Sequence, residues 1–146
     1  MTTLTKLDES LYVAGQIVDA DVDSLRDAGI VAIINNRPDG EEAGQPSADE
    51  ARRFFEEQGF SFHHVPVTMD TLGPEVVEDF RAVLNQASGP VVAHCRSGMR
   101  STLLWALAEA RYGSQSAEAI MAQAKSAGYD LTSAQGLLEQ IAAMPR

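Results

Sequence analysis

The chain has 146 residues, of which 45% are hydrophobic, and this is enough for one ordinary domain with a full core. Its formal net charge is -10, from 11 Lys and Arg against 21 Asp and Glu, so its long-range field repels nucleic acid and anionic membranes. We therefore predict a single domain over residues 1–146 that binds neither nucleic acid nor membrane.

The scarce positive charge is concentrated in one segment. Lys6 and Lys125 are the only lysines, whereas Arg96 and Arg100 lie close together, which favours a small anionic substrate bound locally. One cysteine and three histidines give neither an internal disulfide nor a structural zinc pattern, so we expect no metal and no other cofactor. The sequence has no apolar run of about eighteen residues and no signal peptide at its start, which predicts a cytoplasmic protein.

Apolar runs alternate with amphipathic segments along the chain. Strands are predicted over residues 11–15, 30–34, 60–67 and 91–93. Helices are predicted over residues 19–29, 48–58, 74–86, 101–112, 116–127 and 133–143. Ser47 with Glu50 forms a capping box, and Pro74 suits the first position of a helix. This alternation predicts an α/β fold, with a mostly parallel sheet of about four to five strands and helices on both faces.

Three predicted loops each follow a strand, namely 35–46, 68–73 and 95–100. In a parallel sheet, ligands bind outside the carboxyl ends of the strands, and these loops should gather there. Asn36, Arg37, Asp70 and Cys95 are thereby expected to lie within range of one another.

Residues 91–105 read as a strand, a tight loop and a helix. The loop amides and the positive end of the helix dipole converge on one point, which makes an anion site. Its candidate anion-binding residues are Arg96, Ser97, Gly98, Met99 and Arg100. Cys95 lies beneath this site, where a helix N-terminus and arginine favour the thiolate, so it is a candidate nucleophile. Arg100 has the planar fork that grips an oxyanion by two hydrogen bonds.

Several of these residues also have a plain structural interpretation. A lone cysteine after a valine-rich run is usually a small core residue, but two arginines beside it are costly to desolvate without an anionic partner. Arg37 is either a second anion clamp, which we favour because its loop ends at the active edge, or the partner of Glu41 or Glu42. Asp70 is as readily a turn former as an acid.

The run His94-Cys95, with Gly98, Arg100 and Ser101, resembles the signature of cysteine-based protein phosphatases. Together with residues 35–38, Asn-Asn-Arg-Pro, it resembles the bacterial family called beta-lactamase hydrolase-like protein, phosphatase-like domain, over roughly residues 4–112. The resemblance implies a fold similar to that of the tyrosine and dual-specificity phosphatases. It also implies a hydrolase that acts on a small or protein-borne phosphate monoester.

The resemblance implies a role for each residue of the motif. Cys95 would attack phosphorus and hold a phosphocysteine, while Arg100 and the amides of residues 96–100 would cradle the oxyanion. Ser101 would ease departure of the thiolate, and His94 would order the loop. Asp70 would be the general acid that protonates the leaving oxygen.

One departure from the phosphatase signature leaves alternatives open. Four residues separate Cys95 from Arg100, where the signature has five, so the loop has one amide fewer. This shorter loop resembles that of rhodanese-type sulfurtransferases, in which cysteine carries a persulfide, and related domains occur joined to persulfide-dioxygenase-like domains. The alternatives are therefore a Cys95 sulfurtransferase with a partner enzyme in sulfur metabolism, or a non-catalytic anion-binding module.

Overall fold

Five short strands form one sheet in the computed structural model, which describes residues 2–145 of the chain. The strands are β1 (Thr5–Asp8), β2 (Leu11–Ala14), β3 (Ala32–Asn35), β4 (Ser61–His64) and β5 (Val91–His94), in the spatial order β1-β2-β5-β3-β4. Only β1 runs antiparallel to its neighbour, and the other pairings are parallel. The predicted mostly parallel sheet is confirmed.

Six helices cover the sheet, as predicted. They are α1 (Val22–Asp27), α2 (Ala48–Glu57), α3 (Pro74–Gln86), α4 (Met99–Tyr112), α5 (Ala117–Ser126) and α6 (Gln135–Ala142), with single 3-10 turns before α1 and α6. The Ser47 hydroxyl accepts a hydrogen bond from the Glu50 amide at 3.1 Å, as the capping pattern predicts, and Pro74 is the first residue of α3. None of the helices in residues 2–145 is long and apolar enough to cross a membrane.

Two apolar clusters lie on opposite faces of the sheet, because successive strand residues point to opposite sides. Leu25, Phe55 and Phe62 belong to the cluster under α1 and α2, and Phe80 and Leu104 belong to the larger cluster under the other helices. Helix α4 is buried along most of its length, including Trp105, which is core as its apolar surroundings indicate. At the N-terminal end of α4, Met99 is exposed and Arg100 is partly buried.

The strand β1 is absent from the sequence prediction. It is only four residues long, has Leu7 as its single apolar side chain, and is held by pairing with the adjacent β2, from Thr5 opposite Val13 onward. The indole Nε1 of Trp105 also donates to Asp8 at 3.0 Å, from 97 residues further along the chain. A run with one apolar residue gives no strand pattern, so the sequence does not indicate β1.

Candidate active site

Cys95 lies at the centre of the carboxyl edge of the sheet. It follows β5, which is flanked by β2 and β3, and its amide donates to the Ala14 carbonyl at 3.3 Å. The side chain is fully buried, and its Sγ accepts a hydrogen bond from the Gly98 amide at 3.1 Å. The loop therefore curls back over the thiol, so that at least one backbone donor points at sulfur.

Gly98 makes this turn possible. Its φ of 93° lies in the left-handed region, and a Cβ there would be 2.2 Å from the Tyr129 hydroxyl, so only glycine fits. Helix α4 begins at the next residue, two positions earlier than predicted. The Thr102 hydroxyl donates to the Gly98 carbonyl at 2.8 Å and fixes the first turn. The positive end of α4 is thereby aimed at Cys95.

Arg100 lies between the thiol and a carboxylate. Its Nη1 and Nη2 each donate to a different oxygen of Glu41 at 2.8 Å, and Nη1 also donates to the Val67 carbonyl at 2.9 Å. The bonds to Glu41 raise the pKa of Arg100, burial acts in the opposite direction, and the nearby Cys95 also raises this pKa. The bonds from Arg100, with help from Arg37, hold the pKa of Glu41 below its usual value. A bidentate pair thus orients the guanidinium beside sulfur.

Arg37 forms the other side of this charge network. Its side chain is only 2% exposed, and it donates from Nε to Glu41 at 3.0 Å and from Nη1 to Gln16 at 2.9 Å. Its Nη2 lies 3.6 Å from Glu42, which also pairs with the exposed Arg96 at 3.2 Å. The structure therefore shows Arg37 as the partner of Glu41, one of the two predicted interpretations. Direct contact between Arg37 and a bound anion stays a prediction.

Asn36 and Ser101 are both buried behind the loop. The Ser101 hydroxyl donates to the Asn36 side-chain carbonyl at 2.8 Å, and the Asn36 amide group donates to the Val65 carbonyl at 2.8 Å. Asn36 thereby joins the ends of β3 and β4 to the start of α4. Contact of Asn36 with substrate, and assistance by Ser101 to the thiolate, stay predictions.

His94 is buried in the last position of β5. The pKa of His94 is lowered to about 4, mainly by burial and to a smaller degree by the charges of Arg37 and His64, while the backbone of Cys95 acts in the opposite direction. Its Nδ1 has no hydrogen-bond partner among residues 2–145. A histidine with this pKa is neutral at pH 7, and its predicted role in ordering the loop stays a prediction.

The buried His94 predicts a loss of stability in mild acid. Between pH 6.5 and about 4 the unfolded chain binds a proton at this histidine and the folded chain does not, so acid favours unfolding. From pH 7 to pH 5 this histidine should lower the free energy of unfolding by about 2 kcal/mol. His94→Gln should remove that part of the decrease in urea titrations at the two pH values. His63→Gln is the comparison: burial also lowers the pKa of the partly buried His63, but by less, so this variant should remove a smaller part of the decrease. Equal slopes in all three proteins would contradict the prediction.

Asp70 is exposed on the loop between β4 and α3. Reciprocal hydrogen bonds between Thr68 and Thr71 shape this loop, at 2.9 Å from the Thr68 amide and 3.2 Å from the Thr71 amide. The loop begins next to the Val67 carbonyl that binds Arg100, so it borders the anion site. Among residues 2–145 the Asp70 carboxylate has no hydrogen-bond or ion-pair partner. Its role as a general acid stays a prediction.

Two residues of the site are not singled out by the sequence. The Tyr129 hydroxyl donates to the Ser97 carbonyl at 3.3 Å, and burial together with the nearby Cys95 raises the pKa of its phenol. Glu41 holds Arg100 from a loop 59 residues earlier, although the sequence indicates it only as a partner of Arg37. The paired acids in a loop at the active edge were the one available signal for Glu41, and Tyr129 had none.

Solved structures share this fold. The crystal structure of a Neisseria meningitidis protein proposed to be a phosphatase is 38% identical in sequence, with a TM-score of 0.85, and the match covers 94% of this chain and 96% of that one. A structure of kinase-associated phosphatase has a TM-score of 0.71 at 19% identity, covering 99% and 97% of the two chains, and shows the fold alone. The predicted phosphatase-type fold is confirmed.

A longer relative matches almost the whole chain. The beta-lactamase hydrolase-like protein of Agrobacterium fabrum is 38% identical over 141 residues, which are 96% of this chain and 33% of the relative. The chain thus spans about a third of the length of the curated relative it matches. The family model described as beta-lactamase hydrolase-like protein, phosphatase-like domain, matches residues 3–112, and the chain belongs to this family.

Proposed function

We propose that the chain is a hydrolase that removes phosphate from a monoester through a phosphocysteine on Cys95. The observation that carries this proposal is the convergence on one sulfur of the Gly98 amide, at 3.1 Å, and of the guanidinium of Arg100, held by Glu41. Donors fixed in this way stabilise the charge that spreads over the phosphoryl oxygens in the transition state. The substrate is a small or protein-borne phosphate monoester.

The reaction proceeds in two displacements. The Cys95 thiolate forms a bond to phosphorus as the bond from phosphorus to the ester oxygen breaks, and Asp70 gives its proton to that oxygen. Water then attacks phosphorus, the Asp70 carboxylate takes its proton, and the sulfur–phosphorus bond breaks. The products are the alcohol and inorganic phosphate, and the thiolate and the acid are regenerated.

A sulfurtransferase is the second candidate function. The observation in its favour is the short loop, in which four residues separate Cys95 from Arg100. A Cys95 thiolate attacking the outer sulfur of thiosulfate would break the donor's sulfur–sulfur bond, release sulfite and leave a persulfide on Cys95. An acceptor thiolate would then attack that outer sulfur, leave with it as a persulfide and regenerate the Cys95 thiolate. This reaction needs no general acid. A chain with this activity would act together with a partner enzyme in sulfur metabolism.

Mass spectrometry of the trapped protein distinguishes these candidates. Purified protein is mixed with p-nitrophenyl phosphate in one tube and with thiosulfate in another, and the acid-quenched protein is weighed. Gain of a phosphoryl group on Cys95 supports the hydrolase, and gain of one sulfur supports the sulfurtransferase. If neither adduct forms while inorganic phosphate still binds, the chain is an anion-binding module.

Replacing Asp70 with asparagine tests the proton donor. For an alkyl phosphate, whose alkoxide leaves poorly, we expect kcat/KM to fall by about 10². For p-nitrophenyl phosphate the decrease should be much smaller, because its phenolate leaves without a proton. Asp79→Asn is the matched control, since Asp79 is also an exposed aspartate but lies on α3. If Asp70→Asn lowers kcat/KM only slightly, and equally for both substrates, Asp70 is not the proton donor.

A further inference from the structure

A cleft lined mainly by apolar side chains lies directly beside the anion loop. Its walls include Met69, Met99, Leu103, Leu131 and Leu137, and its volume is about 190 Å³. We call it the apolar cleft. Leu131 and Leu137 lie beyond residues 3–112, the part of the chain that the family model matches.

The two methionines of the apolar cleft are unusually exposed. Among residues 2–145 only three large apolar side chains are exposed, namely Met69 at 67%, Val18 at 42% and Met99 at 37%. Two of these three therefore line the same cleft, although Met69 lies on the loop between β4 and α3 and Met99 begins α4. Exposed apolar side chains gathered around one concavity are typical of ligand sites, and methionine adapts its shape to different ligands.

The apolar cleft shares Arg100 with the anion site. Arg100 lines the cleft and also interacts with Cys95. Met99 is the first residue of α4, directly preceding Arg100, and Met69 directly precedes Asp70. An ester whose phosphoryl group lies on the loop therefore has apolar surface next to the group that leaves.

The polar border of the apolar cleft limits the chemistry of the organic group that the ester can carry. Asp130 lies on the border, and hydrogen bonds from the side chain and backbone of Thr132 lower the pKa of its carboxyl, so it is ionised at neutral pH. A fixed negative charge at this position disfavours a second anionic group on the substrate. The chemistry of the cleft thus matches a ligand with one anionic head and an apolar remainder.

We propose that the apolar cleft binds the organic group of the substrate, and that this group is a slim apolar chain of about six carbon atoms. A cavity of about 150 Å³ admits benzene, which sets this approximate size. The proposal rests on the proposed function, because it names the substrate class of that same site: phosphate monoesters of medium-length apolar alcohols.

Alkylphosphonates from methyl to hexyl test the apolar cleft without requiring catalysis, since their carbon–phosphorus bond is not hydrolysed. Titration calorimetry on the full chain should show the affinity rising about threefold for each added methylene until the cleft is filled. Met69→Gln should flatten this dependence. Val18→Gln is the matched control, because Val18 is similarly exposed but lines a separate cavity, and it should keep the full dependence.

Hydrolysis assays with the corresponding alkyl phosphates test the proposed hydrolase activity separately from binding in the apolar cleft. If the affinity rises with chain length but no ester is hydrolysed, the apolar cleft binds the chain as proposed and the proposed hydrolase activity is wrong. If every ester is hydrolysed but the affinity does not depend on chain length, the proposed hydrolase activity is supported and the proposed role of the apolar cleft is wrong. A dependence that Met69→Gln and Val18→Gln flatten equally, or no binding of any phosphonate, would also overturn it.

Discussion

Cys95→Ser is expected to lower the rate of p-nitrophenyl phosphate hydrolysis by a factor on the order of 10⁴ or more. The variant keeps the size of the buried side chain and the loop around it. A serine hydroxyl stays protonated at neutral pH and attacks phosphorus poorly without a general base beside it. The donors of the loop remain, so the affinity for inorganic phosphate should change only a few-fold.

The single cysteine makes this prediction easy to check. Because Cys95 is the only thiol, mass spectrometry of iodoacetamide-treated protein reports on this site alone, and saturating phosphate should slow the labelling. Steady-state kinetics give the rate, and calorimetry gives the phosphate affinity of both proteins. A variant that keeps more than about a tenth of the wild-type rate would show that Cys95 is not the nucleophile.

The anion loop could be predicted because its parts are contiguous. The strand β5, the glycine that turns the chain and the helix α4 all lie within residues 91–112, so local patterns indicate each of them. Their order alone places the cysteine beneath a helix N-terminus. The same reasoning puts the loops after β3 and β4 at one edge, and hydrogen bonds from the Val65 and Val67 amides to Asn35 and Asn36 bring those strand ends together.

The rest of the site depends on contacts that no local pattern contains. Glu41 reaches Arg100 across 59 residues, and Tyr129 reaches Ser97 across 32. The edge strand β1 pairs with the adjacent β2, but the indole of Trp105 also holds its Asp8 across 97 residues. Sequence patterns report which segments fold, whereas these pairings are decided by how the folded segments meet.

The pairing of Glu41 with Arg100 determines how a substrate can be held. Glu41 accepts one proton from Nη1 and one from Nη2, and the Val67 carbonyl accepts the other Nη1 proton, so the donors left for an anion are Nε and the second proton of Nη2. The carboxylate thus fixes the plane of the fork before any ligand arrives, which limits reorganisation during the reaction. The low pKa of Glu41 keeps this arrangement in place through neutral pH.

Replacing Arg100 with lysine should therefore lower kcat/KM for phosphate esters by about 10³. Lysine keeps the positive charge, but one ammonium group cannot bind both oxygens of Glu41 and still present two donors to the phosphoryl group. Most of the loss should appear in kcat, because fixed donors count most where charge develops in the transition state. Steady-state kinetics over a range of substrate concentrations separate kcat from KM.

Arg96→Lys is the matched control, since it makes the same chemical change in the same loop. The Arg96 side chain is 68% exposed, and its one ion pair within residues 2–145 is with Glu42, at 3.2 Å. Its replacement should therefore change kcat/KM by less than about threefold, as expected for an exposed ion pair. If Arg100→Lys and Arg96→Lys lower kcat/KM equally, the bidentate geometry of Arg100 makes no special contribution to the rate. A decrease confined to KM would instead make Arg100 a residue that binds the ground state and the transition state alike.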